Sequence, residues 1–321
     1  MRILKRLRSY CNLFVVRIIV IGCLCAPVSM LQAQISGNYT IDSRQPTAGR
    51  TFNSFNDCVT FLSGGLTGAV TVTVAAGSGP YNERILLIED IKSSATKPLI
   101  FNCNGVTLTY LSTDAFNREL VMLNHVNYVT IDNLKIVPTA LTNAEFGVGV
   151  HIVNDANHNT IRNCTILNGV NTNVPQNNEG IVINGSVDFA SAQGLSLCDS
   201  NVIVNNVITG GFTGITLSSV PTPTDPVVYM KGNQLIDNKI SGFWNSGIYL
   251  FYNDNLLVQG NDVSAPFDNS ASGITLFEPN INMQVLNNKI HHFYDAAADP
   301  NSTFKGIEVG QAFASTTTAN V

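Results

Sequence analysis

The chain has 321 residues, 45% of them hydrophobic and only 12% charged, with 17 basic against 22 acidic side chains and a formal net charge of −5. That acidic balance excludes the electrostatic footprint of a nucleic-acid binder or of a protein that adheres to anionic membrane surfaces. Uncharged Asn, Thr, Ser and Gly must therefore supply most of the polar surface, as they do in extracellular β-proteins.

The first 33 residues have the layout of a secretory signal. Arg2, Lys5, Arg6 and Arg8 precede an apolar run from Ile18 to Val28 and a small-residue site at Ala33. A transmembrane anchor fits less well, because the run follows Arg17 and is shorter than the roughly 20 residues a bilayer needs. Val20-Ile-Gly-Cys23 also resembles a lipoprotein cleavage site, although Leu24–Leu31 stays apolar where a tether turns polar. The expectation is an exported bacterial protein, secreted or held at the outer cell surface, with no membrane-spanning segment once residues 1–33 are gone. Removing them takes away five basic and no acidic residues, which moves the formal charge from −5 to −10. Cys11, Cys23 and Cys25 leave with that segment. Cys58, Cys103, Cys164 and Cys198 remain, without the C-x-x-C or His spacing of a zinc site. They read as small buried hydrophobes, with a Cys58–Cys103 disulfide as the alternative.

Residues 34–66 form a cap segment. Phe55, Cys58, Val59 and Leu62 recur at helical spacing, Ser54 is placed to cap the helix, and Gly64-Gly65 stops it. Residues 67–310 read as strands only. Ala69–Val74 alternates strictly, and shorter runs follow at Ile85–Ile88, Leu99–Cys103, Val106–Tyr110 and Leu120–Leu123.

From Tyr128 two phrases interleave. One is an aliphatic residue, then Asn three positions on, then Ile or Val: Ile203..Asn206..Ile208, Leu235..Asn238..Ile240, Val258..Asn261..Val263 and Val285..Asn288..Ile290. Copies at Ile131 and Ile161 carry Leu134 and Cys164 in the Asn slot. The other phrase is Gly, apolar, any, apolar, at Gly149, Gly180, Gly214, Gly247, Gly273 and Gly306. Two interleaved phrases at a near-fixed period mean a solenoid, with length variation carried by loops around Leu195–Asp199, Ser219–Lys231 and Tyr294–Thr303. The Asn slot is expected at a corner, in the left-handed conformation, with side-chain amides bonded from coil to coil. The Gly is expected to give a sharp corner its backbone freedom. Phe212, Phe243, Phe267 and Phe293 are expected to stack as an internal column. Residues 311–321 carry no closing helix, so the last coil is expected to stay open, as in a truncated chain or the front part of a longer surface protein.

These phrases over residues 128–310 resemble the right-handed parallel β-helix of the pectin-lyase-like superfamily. Val70–Val74, Gly79-Pro-Tyr-Asn-Glu83 and Pro98-Leu-Ile-Phe101 are similar to the opening of pectin-methylesterase-like coils and of bacterial surface proteins built on that helix. The resemblance implies an all-β right-handed solenoid with a short N-terminal capping helix. It does not imply an activity.

The chemistry of the superfamily's enzymes needs clustered carboxylates or a basic residue with calcium ligands. The chain has no Asp-Asp pair, no Gly-His-Gly and no Arg-Ile-Lys, and Glu83 reads as structural. Lys239 and Lys289, expected about one rung apart, read as a solvated face. His291-His292 with Asp295 and Asp299, and Asp254 between Asn253 and Asn255, are weak metal signals, so no catalytic residue, metal or cofactor is assigned, calcium being the one alternative. The outward positions of the Gly phrase form two columns: His151, Val182, Thr216, Tyr249, Thr275, Glu308, and Val153, Asn184, Ser218, Phe251, Phe277, Gly310. They are expected to line a groove. Its aromatic members Tyr249, Phe251 and Phe277, with Trp244 just before the strand, suit stacking against sugar rings. The function expected is a non-catalytic, adhesin-like module that binds an extracellular polysaccharide or other glycan. A polysaccharide lyase or glycoside hydrolase of the same fold is the alternative.

Overall fold

The structure is a computed structural model that describes residues 34–140, 142, 144–168, 177–187, 197–219, 228–266, 270–277, 279–293 and 303–310. The signal segment, the tail 311–321, Phe267, Asp295, Asp299 and most of the expected loops lie outside the described residues. Among the described residues no helix is long and apolar enough to cross a membrane.

Successive coils stack their strands into three parallel sheets. The first sheet has ten strands and ends with Leu257–Gln259 and Gln284–Leu286. The second has eight, from Tyr81–Asn82 to Lys289–His291. The third also has eight, from Ile85–Ile88 to Phe304–Val309. One coil shows why the sequence folds this way. In Val202–Val204, Val207–Thr209 and Thr213–Ser218, the alternating residues Ile203, Ile208, Ile215 and Leu217 point inward and are fully buried. Their partners one rung on are Leu235, Ile240, Ile248 and Leu250, so each inward slot meets another aliphatic chain. Burying each such side chain contributes about 1.5–3 kcal/mol.

The Asn slot forms the expected ladder. Asn206 donates from its backbone N–H (3.0 Å) and Nδ2 (2.9 Å) to Asn238 Oδ1, Asn238 does the same to Asn261, and Asn261 to Asn288. The left-handed residue, however, is the one before the ladder: Asn205, Asp237, Gly260 and Asn287 carry φ of 56°, 51°, 68° and 55°. The ladder residue keeps ordinary backbone, and its neighbour makes the corner. A second ladder runs through Asn159, Asn201 and Asn233, and a short third joins Asn253 to Asn280.

The Gly phrase also works differently from expectation. These glycines are outside the left-handed region, and a Cβ on Gly214 would meet Ile240 Cγ2 at 2.4 Å and Gly247 O at 2.6 Å. Close approach of stacked coils, rather than backbone freedom, requires glycine there.

The helix Phe55–Leu62 caps the N-terminal end, with Ser54 accepting from Asp57 N–H and Phe55, Cys58, Val59 and Leu62 buried. Phe243 and Phe293 pack with centroids 6.1 Å apart. Phe212 does not join them. Asn245 N–H bonds to Phe212 O: the corner between Thr209 and Thr213 is one residue shorter than the one between their partners Ser241 and Ser246, so Phe212 stands opposite Asn245 rather than Phe243, half-buried. The four cysteines are buried and unpaired. At the other end, the core residues Ile307 and Val309 are 42% and 63% exposed, against 0% and 6% for Ile274 and Leu276 one coil earlier.

Candidate functional site

The outer face of the third sheet has the register that the Gly phrase implies. His151, Val182, Thr216, Tyr249, Thr275 and Glu308 are successive partners in one column. Asn184, Ser218, Phe251 and Phe277 are successive partners in the next, and Val153 extends that column to Asn124. A third outward column, just ahead of the glycines, was not read from the sequence. It contains Glu119, Val148, Glu179, Thr213, Ser246, Ser272 and Lys305.

The outward columns expected to line a groove are covered along their first half. His151, Val182, Thr216, Glu179 and Thr213 point away from the core yet are buried, and Val148 with Val182 forms an apolar cluster separate from the core. Polar groups here satisfy one another. His151 Nε2 lies 2.7 Å from Asn184 Oδ1, Arg84 pairs with Glu119, and Thr216 Oγ1 donates to Glu179 Oε2 at 3.4 Å. Burial holds the Glu179 carboxyl well above the usual range and pushes His151 down. The Glu179 contact is one of three that run diagonally to the next rung: Ser246 Oγ meets Thr275 Oγ1 at 2.8 Å, and Ser272 Oγ donates to Glu308 Oε2 at 2.6 Å.

The second half of the face is aromatic. Tyr249 and Phe251 stand on one strand, Ser246–Phe251, with near-parallel rings, centroids 6.3 Å apart and planes 13° apart. Phe277, one rung on, lies 5.6 Å from Phe251 at 13° and 6.4 Å from Tyr249 at 21°. Phe277 is 40% exposed, Tyr249 is half-buried and Phe251 only 8% exposed, so the rings are unequal. Trp244 sits half-buried in the corner ahead of the same strand, its backbone N–H bonded to Gly211 O at 3.0 Å. Sequence reasoning missed Tyr252 and Tyr229. A left-handed backbone at Tyr252 (φ 54°) brings its ring edge-on to Phe251 at 4.8 Å, with Tyr229 6.0 Å beyond.

The other candidates do not converge. Lys239 and Lys289 are two rungs apart with Asp262 between them in the column, and Asp262 Oδ1 lies 2.6 Å from His291 Nε2. Asp254 accepts from Asn282 Nδ2, while the neighbouring Asn253 amide is committed to the buried ladder with Asn280. Among the described residues no three His, Cys, Asp or Glu side chains are grouped to hold a metal.

The chain is similar to three solved structures. The GH136 lacto-N-biosidase from Eubacterium ramulus superposes with a TM-score of 0.59 at 13% identity, covering 86% of this chain and 55% of that one, so this chain spans about half of its length. Pectate lyase Pel9A gives 0.48 at 10% identity, covering 88% and 80% of the two chains. PfbA, a surface adhesin of Streptococcus pneumoniae, gives 0.45 at 13%, covering 80% and 74%. A search of curated proteins by sequence gives no match. Likeness at such identity speaks for the fold alone. The family described as the right handed beta helix region matches residues 148–320, more than half of the sequence, and with the three parallel sheets this places the chain in the right-handed β-helix family.

Proposed function

We propose that the chain is an exported, non-catalytic β-helix module that binds an extracellular glycan through the aromatic end of its third sheet. The observation that carries this reading is the set of near-parallel rings Tyr249, Phe251 and Phe277 on two adjacent rungs, with Phe277 open to solvent. Pyranose rings bury an apolar C–H face against such surfaces while their hydroxyls stay hydrated or find polar partners. The carboxylates of the same face support binding over hydrolysis. Glu119 is paired with Arg84, Glu308 with Lys305, and Glu179 is buried against Thr216, whereas hydrolysis asks for two carboxyl groups facing the scissile bond.

The test is retention of the purified chain in gels cast with soluble polysaccharides, run beside Phe277→Ala. Retention by at least one glycan, weakened in the variant, is the expected result. Release of reducing or unsaturated ends from any of these polymers overturns the non-catalytic part, and absence of retention by all of them overturns the carbohydrate part.

A further inference from the structure

Phe277 differs from the rings it stacks with in what lies beyond it. The next residue in its column is Gly310. A Cβ on Gly310 would stand 2.7 Å from Phe277 Cδ2 and 3.2 Å from Cε2, so the ring occupies the space in which any other residue would begin its side chain. Gly310 is not left-handed, so room rather than backbone freedom is what glycine supplies there. A side chain at 310 would displace the ring or cover it. As it stands, the ring rests over bare backbone and keeps its 40% exposure.

Beside it on the same rung as Gly310 stands Glu308. Its Oε2 accepts from Ser272 Oγ at 2.6 Å, and its Oε1 pairs with Lys305 Nζ. The Lys305 hydrogen bond, then that of Ser272, holds the Glu308 carboxyl below its usual range, so it is a fixed acceptor at neutral pH. Both partners are still about a third to a half exposed, at 32% for Glu308 and 47% for Lys305, and so reach solvent beside the ring.

We infer that Phe277, seated over Gly310, forms with Glu308 and Lys305 a subsite for one uncharged pyranose ring. The inference rests on the glycan-binding reading above and deepens it by naming the sugar class. The C–H face of the sugar lies on Phe277, one hydroxyl donates to Glu308, and a neighbouring hydroxyl accepts from Lys305. A uronic acid fits worse. Its carboxylate would lie next to Glu308 on a chain that is already net acidic, and the one adjacent cation is already paired. Gly310 is then a positioning residue that keeps the ring accessible without touching the sugar.

The experiment measures affinities of the purified chain for neutral polymers (cellulose oligomers, xylan, mannan, mixed-linkage glucan, galactan) and for polyuronates (galacturonan, alginate), using wild type, Gly310→Val and Phe277→Ala. Thermal melts confirm that each variant is folded. Expected are binding to at least one neutral polymer, at least about tenfold weaker binding to both polyuronates, and a loss of about tenfold or more in Gly310→Val as well as in Phe277→Ala. Equal or tighter binding to a polyuronate overturns the sugar class. Neutral-glycan binding that survives Gly310→Val unchanged overturns the subsite while leaving glycan binding standing. No binding to any polymer removes both.

Discussion

Both oxygens of Glu83 accept hydrogen bonds from the first turn of the capping helix, Oε1 from Phe55 N–H and Oε2 from Asn56 N–H, each at 2.9 Å. The carboxylate follows the first strand of the second sheet, Tyr81–Asn82, and so ties the cap to the first complete coil. Two helix N–H groups without intrahelical partners are satisfied by one side chain that is itself buried. Glu83→Ala is therefore expected to cost about 2 kcal/mol in urea unfolding, and Glu83→Gln about half as much, since one acceptor survives. Glycan binding should not change in either variant. A Glu83→Ala chain as stable as the parent would show that the cap does not depend on this contact.

Asn238 and Asp237 are neighbours with opposite roles. Asn238 Oδ1 receives two bonds from Asn206, and its Nδ2 donates to Ile203 O and to Asn261 Oδ1, all in the buried corner. Asn238→Leu orphans several buried groups at once and should cost about 3 kcal/mol or more. Asp237 is exposed and left-handed, so Asp237→Val should cost about 1–2 kcal/mol through backbone strain, and Asp237→Asn almost nothing. Chemical denaturation of the three variants checks the order. If Asp237→Asn proved as damaging as Asn238→Leu, the assignment of ladder and corner would be reversed.

The periodicity made the direction of each side chain legible. Gly247-Ile-Tyr-Leu250 specifies which residues face the core, and the observed partners of Tyr249 are those the phrases align. Coverage was not legible, because alternation encodes inward or outward and is silent on what lies over the outer face. His151 and Tyr249 thus read alike in sequence, though one is buried and the other half-buried. The corner was misplaced by one residue because Asn205 and Asn206 are the same residue type, and only the backbone says which is left-handed. Phe212 was misread for a different reason: its corner, Gly210–Phe212, is one residue shorter than the next, Gly242–Asn245, and a spacing counted from Ile208 alone does not show where the following strand resumes.

Glu179 makes stability depend on pH. Its folded-state pKa is raised above the ordinary 4.5, with burial as the main cause. Above pH 4.5 the unfolded chain releases this proton while the folded chain keeps it, so stability is lost as pH rises from there towards the folded-state value. Glu179→Gln removes the titration and keeps an acceptor for Thr216 Oγ1. The variant should melt at a higher temperature than the parent above pH 4.5, with the difference growing as the pH rises from there and vanishing near pH 4. Melting curves of parallel slope for the two proteins across that range would show that Glu179 is ionised in the fold.

Phe251 and Phe277 stack at 5.6 Å, yet their exposures of 8% and 40% predict that they do different jobs. Removing the buried ring leaves a cavity against Tyr252 and Tyr249, so Phe251→Ala should cost about 3 kcal/mol of stability. Phe277→Ala removes a ring that water already reaches on one side, and should cost about 1 kcal/mol while carrying most of the loss in glycan affinity. The double variant should fall short of the sum of the two stability losses by about 0.5–1.5 kcal/mol, the coupling of a stacked pair. Binding lost in Phe251→Ala but kept in Phe277→Ala, with both proteins folded, would transfer the contact surface to the inner ring. That outcome would contradict the ligand approach that their exposures imply.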